Sequence, residues 1–232
     1  MTGDHSPSPR SLRESPSPLQ GRGIYAVKEA VLTLQGEGVQ AGSRAVFLRF
    51  AGCNLWSGRE VDRATAQCNF CDTDFVGTDG VGGGKFSAAD ALADQVAALW
   101  GEGRERRLVV ITGGEPMLQL DAALIDALHA RDFRVAVESN GTLPATPGID
   151  WLCISPKAGT DVVQRQGDEL KLVWPQAGID PAALERWDFA HFLVQPMDCS
   201  EGEAAIAAAI ALAMERPRWR LSLQAHKVVG LP

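Results

Sequence analysis

Seven short apolar runs recur along this chain, and what separates them constrains its architecture more than any other feature. They are "AVFLRF" (45–50), "RLVVIT" (107–112), "RVAVES" (134–139), "WLCIS" (151–155), "LKLVW" (170–174), "HFLVQ" (191–195) and "RLSLQ" (220–224). Runs of this length, rich in branched and aromatic side chains, read as strands of a buried sheet. Between several of them lie patterns of helical period: Ser87–Trp100, about Leu118–Ala130 and about Glu203–Arg216. "SAAD" offers Ser87 with Asp90 as a capping-box variant for the first of these helices. Strands alternating with helices predict a parallel sheet with crossover helices. Too few helical patterns lie between 134 and 195 for eight regular β/α units. The expected class is therefore α/β, an incomplete, shortened parallel barrel.

Residues 1–22, "MTGDHSPSPRSLRESPSPLQGR", carry Ser, Pro and Arg and almost no apolar side chains. Such a stretch buries too little surface to offset its ordering entropy and is expected to be a disordered extension or expression remnant. Residues 23–232 form the single expected domain, long enough for one sizeable core. No apolar run approaches the ~20 residues that span a bilayer, and the N-terminus has no apolar segment of a signal peptide. The expected location is the cytoplasm. A net charge of −7 argues against a general nucleic-acid binder, which needs a basic face against phosphates.

Three of the five cysteines lie together in "CNLWSGREVDRATAQCNFC": Cys53, Cys68 and Cys71, with fourteen residues in the first gap and two in the second. They follow directly on the strand "AVFLRF", in a loop expected at 51–80 beyond its carboxyl end, where sites assemble in parallel α/β folds. In a reducing compartment clustered cysteines point to metal or redox ligation. Three thiolates can hold three irons of a [4Fe-4S] cluster and leave the fourth open. They can also hold zinc with a fourth ligand, or pack as apolar thiols. Cys153, mid-strand, and Cys199, in a turn, read as packed or incidental thiols.

Four further strand ends carry polar groups: "TGGEP" (112–116), "VESNGT" (137–142), "ISPK" (154–157) and "VQPMD" (194–198). With Phe70 inside the C-x2-C pair, these motifs make the chain resemble the radical S-adenosylmethionine (SAM) enzymes. Their usual signature is CxxxCxxC, with an aromatic residue just before the third cysteine. The long first gap is similar to that of one subfamily, the 7-carboxy-7-deazaguanine synthases of the queuosine pathway, and the likeness covers roughly residues 24–232.

The resemblance implies a barrel of the radical SAM type and a lyase. Cys53, Cys68 and Cys71 would hold the [4Fe-4S] cluster. Phe70, Asp72, Gly114, Glu138, Asn140, Ser155, Lys157, Gln195, Pro196, Met197 and Asp198 would surround SAM. Reductive cleavage of SAM would give methionine and a 5′-deoxyadenosyl radical. The radical would take a hydrogen from C6 of 6-carboxy-5,6,7,8-tetrahydropterin, which contracts to 7-carboxy-7-deazaguanine with loss of ammonia. "TLQGEG" (33–38) is similar to a substrate element of that subfamily, so Leu34, Gln35, Gly36 and Glu37 are expected at the substrate, with Arg49, Thr112 and His226. Thr73 would offer a hydroxyl to Mg²⁺, which prefers oxygen ligands. If the tail folds over the barrel mouth, the α-carboxylate of Pro232 would accept the paired donors of the pterin edge. Flavodoxin or ferredoxin as electron donor and a homodimer are further family expectations.

Other signals read as structure. "GGGKF" (82–86) is no phosphate loop, because Phe follows the lysine. "GRERR" (103–107) is expected to be a solvated helix–strand loop, and His5, His129 and His191 are given no chemistry. A zinc-binding structural protein, a ferredoxin and a glycyl-radical-activating enzyme stay open as alternatives. The first two need a fourth ligand and the last the short cysteine gap.

Overall fold

The computed structural model describes residues 24–231, and the expectations for residues 1–22 and for Pro232 lie outside it. Its nine strands, in chain order, are β1 (Tyr25–Leu34), β2 (Arg44–Phe50), β3 (Gly84–Phe86), β4 (Leu108–Gly113), β5 (Arg134–Ser139), β6 (Trp151–Ile154), β7 (Gln166–Trp174), β8 (Asp188–Pro196) and β9 (Trp219–Leu221). The helices are α1 (Ala89–Trp100), α2 (Ala122–His129), α3 (Pro181–Leu184), α4 (Gly202–Glu215) and α5 (Ala225–Val229).

All strands join one sheet of order β3-β1-β2-β4-β5-β6-β7-β8-β9. From β2 to β9 every pairing is parallel; β1 pairs antiparallel with both β2 and β3. The seven expected strands are all present, within a few residues of their expected limits. The two strands at the antiparallel end of the sheet, β1 and β3, were not legible. In β1 the run "YAVKEAVLTL" loses clean alternation because a bulge between Val27 and Glu29 shifts the register. As expected, β5, β6 and β7 follow one another without helices. The sheet does not close by strand pairing. Its two ends meet through the residues beyond them: Gly38 N–H donates to Ser222 Oγ at 3.0 Å, and Ala225 N–H to the Gly36 carbonyl at 2.9 Å. This is a barrel sealed on one side by loops.

Period-two alternation sorts the side chains. Val46, Leu48 and Phe50 of β2, Val109 and Ile111 of β4, Val135 and Val137 of β5, Leu170 and Leu172 of β7, and Phe192 and Val194 of β8 share one core. Leu92, Val96, Leu124 and Leu128 of the covering helices fill it from the other side. The alternate positions point inward, where Ala45, Leu108, Val110 and Ala136 form a second, smaller cluster. The same inward parity, carried toward the strand ends, selects Arg49, Thr112, Glu138, Lys171 and Gln195.

Three local expectations need correction. Ala88, not Ser87, caps α1, and no side chain bonds the helix start there. Arg107 of "GRERR" is buried, because its guanidinium donates to the carbonyls of Gly101, Gly103 and Arg131 at 2.9–3.0 Å. Those carbonyls lie at a helix end, in the loop after it and in a turn, where unpaired acceptors gather. The second expected helix is shorter than its pattern. A 3-10 turn takes Pro116–Leu118, and α2 is capped by Asp121, whose side chain accepts from Leu124 N–H at 3.0 Å.

Candidate active site

A cavity of about 350 Å³ opens at the carboxyl ends of the parallel strands. Into it come Leu34, Gln35 and Glu37 from the end of β1, Arg49 from β2, and Thr112 and Gly114 from β4. Glu138 and Asn140 come from β5, Ser155 and Lys157 from β6, and Gln195, Pro196, Met197 and Asp198 from β8. Cys68, Phe70, Cys71, Asp72 and Thr73 close one side, and His226 of α5 another. Of the residues expected at the site, Gly36 and Cys53 stand just outside the lining. Pro232 falls outside the described residues.

Gly36 has no room for a side chain: a Cβ there would lie 2.1 Å from His226 Nδ1. The glycine serves the site by letting the tail pack down. The glycines of "TGGEP" have a similar reason. A Cβ on Gly113 would sit 2.3 Å from the Phe50 carbonyl oxygen, and one on Gly114 2.2 Å from that of Gly52 and 2.6 Å from Cys53 Cβ. They let β4 press against the start of the cysteine loop. Glu115, fully buried beside them, holds the next strand end. Its carboxylate accepts from Ser139 Oγ at 2.9 Å and Asn140 N–H at 2.8 Å, while its own N–H donates to Gly52 O at 3.0 Å. Burial pushes the Glu115 carboxyl up even against those donors.

Cys53 and Cys71 are half-buried and Cys68 is buried. Leu55 N–H donates to Cys53 Sγ at 3.4 Å. The hydrogen bond from the Cys68 thiol, opposed by burial, brings Cys71 down to about 6. That same bond and burial push Cys68 up, and burial raises Cys53. Among the described residues no three His, Cys, Asp or Glu side chains gather tightly enough to hold a single metal ion. A cubane asks for no such convergence, since each thiolate binds a different iron. Cys153 is buried on β6 and donates to Glu169 Oε1 at 3.6 Å, while Cys199 is exposed, so neither joins the triad. Three thiols on one loop at the rim of a polar cavity fit a [4Fe-4S] cluster with one open iron.

The most constrained charges are the expected Glu37 and Glu138 with a lysine that no motif included, Lys171. Lys171 Nζ donates to Glu37 and, at 3.1 Å, to Glu138 Oε2. Glu138 also accepts from Gln35 Nε2 at 3.0 Å, and Glu37 from Gln224 Nε2 at 3.0 Å. Burial alone would push the Glu37 carboxyl up, but the Lys171 ammonium overrides it and the net shift is down. Lys171 is held well above the usual range by Glu138 and Glu37, despite burial. The signal was present in "LKLVW": Leu170 and Leu172 point to the outer core, so the lysine between them must point inward.

Several other polar groups of the cavity are also partnered. Arg49 Nε donates to Glu29 Oε1 at 2.7 Å. Lys157 Nζ donates to Ser155 Oγ at 2.6 Å and lies 5.8 Å from the centre of the Phe70 ring, with burial lowering its pKa. Asn140 Nδ2 donates to Asn54 Oδ1 at 3.0 Å, joining β5 to the cysteine loop. Asp72 and Asp198 both accept from Lys227, at 2.7 and 2.5 Å, and Gln224 Nε2 donates to Asp72 at 3.3 Å. The tail therefore lies across the mouth from Gln224 to Lys227. His191 stacks on Trp151 and His129 bonds Asp150 at 2.8 Å, both away from the cavity.

The Radical SAM superfamily model matches residues 62–167, taking in Cys68 and Cys71 but beginning inside the long gap after Cys53. A 7-carboxy-7-deazaguanine synthase of Bordetella pertussis is 60% identical over 208 residues, 90% of this chain and 99% of that protein. One of Caulobacter vibrioides is 60% identical with the same coverage. One of Bacteroides thetaiotaomicron is 36% identical over 205 residues, 88% of this chain and 97% of that protein. The crystal structure of QueE from Escherichia coli superposes with a TM-score of 0.65 at 27% identity, covering 92% of this chain and 100% of that one.

Proposed function

The chain belongs to the 7-carboxy-7-deazaguanine synthase family of radical SAM enzymes, and on that premise we propose that its cavity converts 6-carboxy-5,6,7,8-tetrahydropterin to 7-carboxy-7-deazaguanine with loss of ammonia. The family implies a [4Fe-4S] cluster and SAM. When bound, these supply the one-electron cleavage that starts the reaction. Everything else falls to the residues of the chain.

Cys53, Cys68 and Cys71 hold the cluster, and Gly114 keeps the strand end of β4 close to it. Phe70, Asp72, Asn140, Ser155, Lys157 and Gln195 to Asp198 bound the volume assigned to SAM. Gln35, Glu37, Arg49, Thr112 and His226 bound the pterin volume. Glu138 stands between the two and is fixed by Lys171 and Gln35. Charged carboxylates held by a buried lysine suit the paired N–H donors of a pterin. Arg49 suits the substrate carboxylate, and Thr73 suits a Mg²⁺ that orients it. The tail, strapped down by Lys227, excludes water from the mouth. Flavodoxin or ferredoxin is the expected electron donor, the working unit a homodimer and the location the cytoplasm. No helix among the described residues is long and apolar enough to cross a membrane.

The observation that carries this reading is the convergence of one thiol pair and six polar strand ends on a single cavity. The test is anaerobic reconstitution with iron and sulfide, reduction, and incubation with SAM and 6-carboxytetrahydropterin. Both 5′-deoxyadenosine and the deazaguanine should form, and a Cys71→Ala variant should give neither. Deoxyadenosine without deazaguanine would sink the substrate, and zinc in place of iron the entire assignment.

A further inference from the structure

The fourteen residues between Cys53 and Cys68 fold into a small platform. Its inner side is Leu55 and Trp56, both buried, with the Trp56 ring edge-on to Phe75 at 5.6 Å. Its outer side is a 3-10 helix, Glu60–Thr65, tied by Ser57 Oγ and Arg59 Nε, which donate to Asp62 Oδ2 at 2.6 and 2.8 Å. These contacts already account for the platform's own fold. Asn54 reaches from it to Thr142 and Asn140 of the β5 end, and Arg63 reaches to the segment of the second and third cysteines. Arg63 lays its guanidinium over the Trp56 ring, 4.1 Å from the ring centre, and its Nε donates to Glu60 Oε1 at 2.7 Å. Its Nη1 then donates to the carbonyls of Asn69 and Cys71, at 3.1 and 3.0 Å.

We propose that Arg63 is a positioning residue for the cluster: its guanidinium clamps the Cys68–Cys71 arc, and its fixed charge raises the reduction potential of the cluster held there. This rests on the reading of the three cysteines as cluster ligands. The chemistry favours arginine at this position. The guanidinium is charged at every working pH, and its planar fork both stacks on the indole and holds two carbonyls in place. Reduction adds negative charge to the cluster, so a nearby cation stabilises the reduced form. The long gap then has a purpose beyond spacing: it builds the indole shelf that fixes this charge beside the thiolates.

The test uses the full chain, reconstituted anaerobically, as wild type, Arg63→Gln and Arg63→Lys. Two properties are read: the midpoint potential, by titration followed with electron paramagnetic resonance, and the rate of iron release to a chelator. Arg63→Gln should move the midpoint to more negative values by on the order of 59 mV, a tenfold change in a one-electron equilibrium, and should release iron faster. Arg63→Lys should hold the midpoint near wild type yet release iron faster, because an ammonium on a flexible stem lacks the planar group that the Trp56 ring holds in direction. An Arg63→Gln variant that takes up less iron, yet melts like wild type when cluster-free, also supports the clamp. A normal wild-type cluster beside an Arg63→Gln variant of unchanged midpoint overturns the electrostatic role, and unchanged iron release overturns the clamp. A wild type that assembles no four-iron cluster overturns the reading of the cysteines, and this proposal with it.

Discussion

Lys171 shows how one buried charge can organise a site. Its side chain is 4% exposed and faces two carboxylates, so each of the three groups would be costly without the others. Removing one partner of such a set leaves uncompensated charge and costs ~3–5 kcal/mol. Lys171→Met should therefore lose stability in that range in urea unfolding at pH 7; a loss below ~1 kcal/mol would refute the arrangement. The pH dependence has a definite sign. The folded-state pKa of Glu37 is lowered, so its stabilisation is present above the ordinary carboxylate range and lost as pH falls through the folded value. In the variant the same carboxyl, buried without its cation, shifts up and opposes folding above that range. The penalty of Lys171→Met should hence shrink as the pH falls toward the carboxylate range, and unfolding at pH 7 and pH 5 would show it.

The tail helix α5 has a different energetic character. It has no buried residue, and polar contacts tie it to the mouth: Lys227 to Asp72 and Asp198, Gln224 to Glu37, and Ala225 to Gly36. Half-exposed pairs of this kind are worth ~0.2–1 kcal/mol each. Such a strap opens and closes without unfolding the domain, which suits a mouth that must admit two small molecules. Lys227→Met should raise KM for SAM or pterin about two- to thirtyfold, the sum of two such pairs, and move the melting temperature by only a few degrees. A large fall in melting temperature with unchanged KM would make α5 a structural element instead. Little of α5 was legible beforehand. "QAHKVVGLP" has neither helical length nor an apolar face, and what orders it comes from Glu37, Asp72 and Asp198, far away in the chain.

Taken entire, the domain is a sheet of nine strands whose covered face is apolar and whose inner face turns polar toward the strand ends. Ligands bound there couple directly to folding, because the cavity exists only when every strand is in place. SAM at about a hundred times its Kd should add ~2.7 kcal/mol to the stability of the reconstituted protein. For a domain of this size that is roughly 5–10 °C in melting temperature. A SAM-independent melting curve would mean that the cavity does not bind it. The parallel order of β2 through β9 and the missing helices around β6 were readable in the sequence, since period and spacing are local properties of a chain. So were the cysteine triad and the polar strand ends, whose side chains lie where the strand motifs stop. The register shift in β1, the burial of Arg107, the Lys171 bridge and the reach of Arg63 across its platform were not. Each depends on which atoms a fold brings within about 3 Å of one another, and separations such as Lys171 to Glu37 leave no trace in a local pattern. The chain's order of residues thus decided the kind of fold and the chemistry offered at its rim. Packing alone decided which charges are shared there, because burial and partnership belong to the assembled barrel.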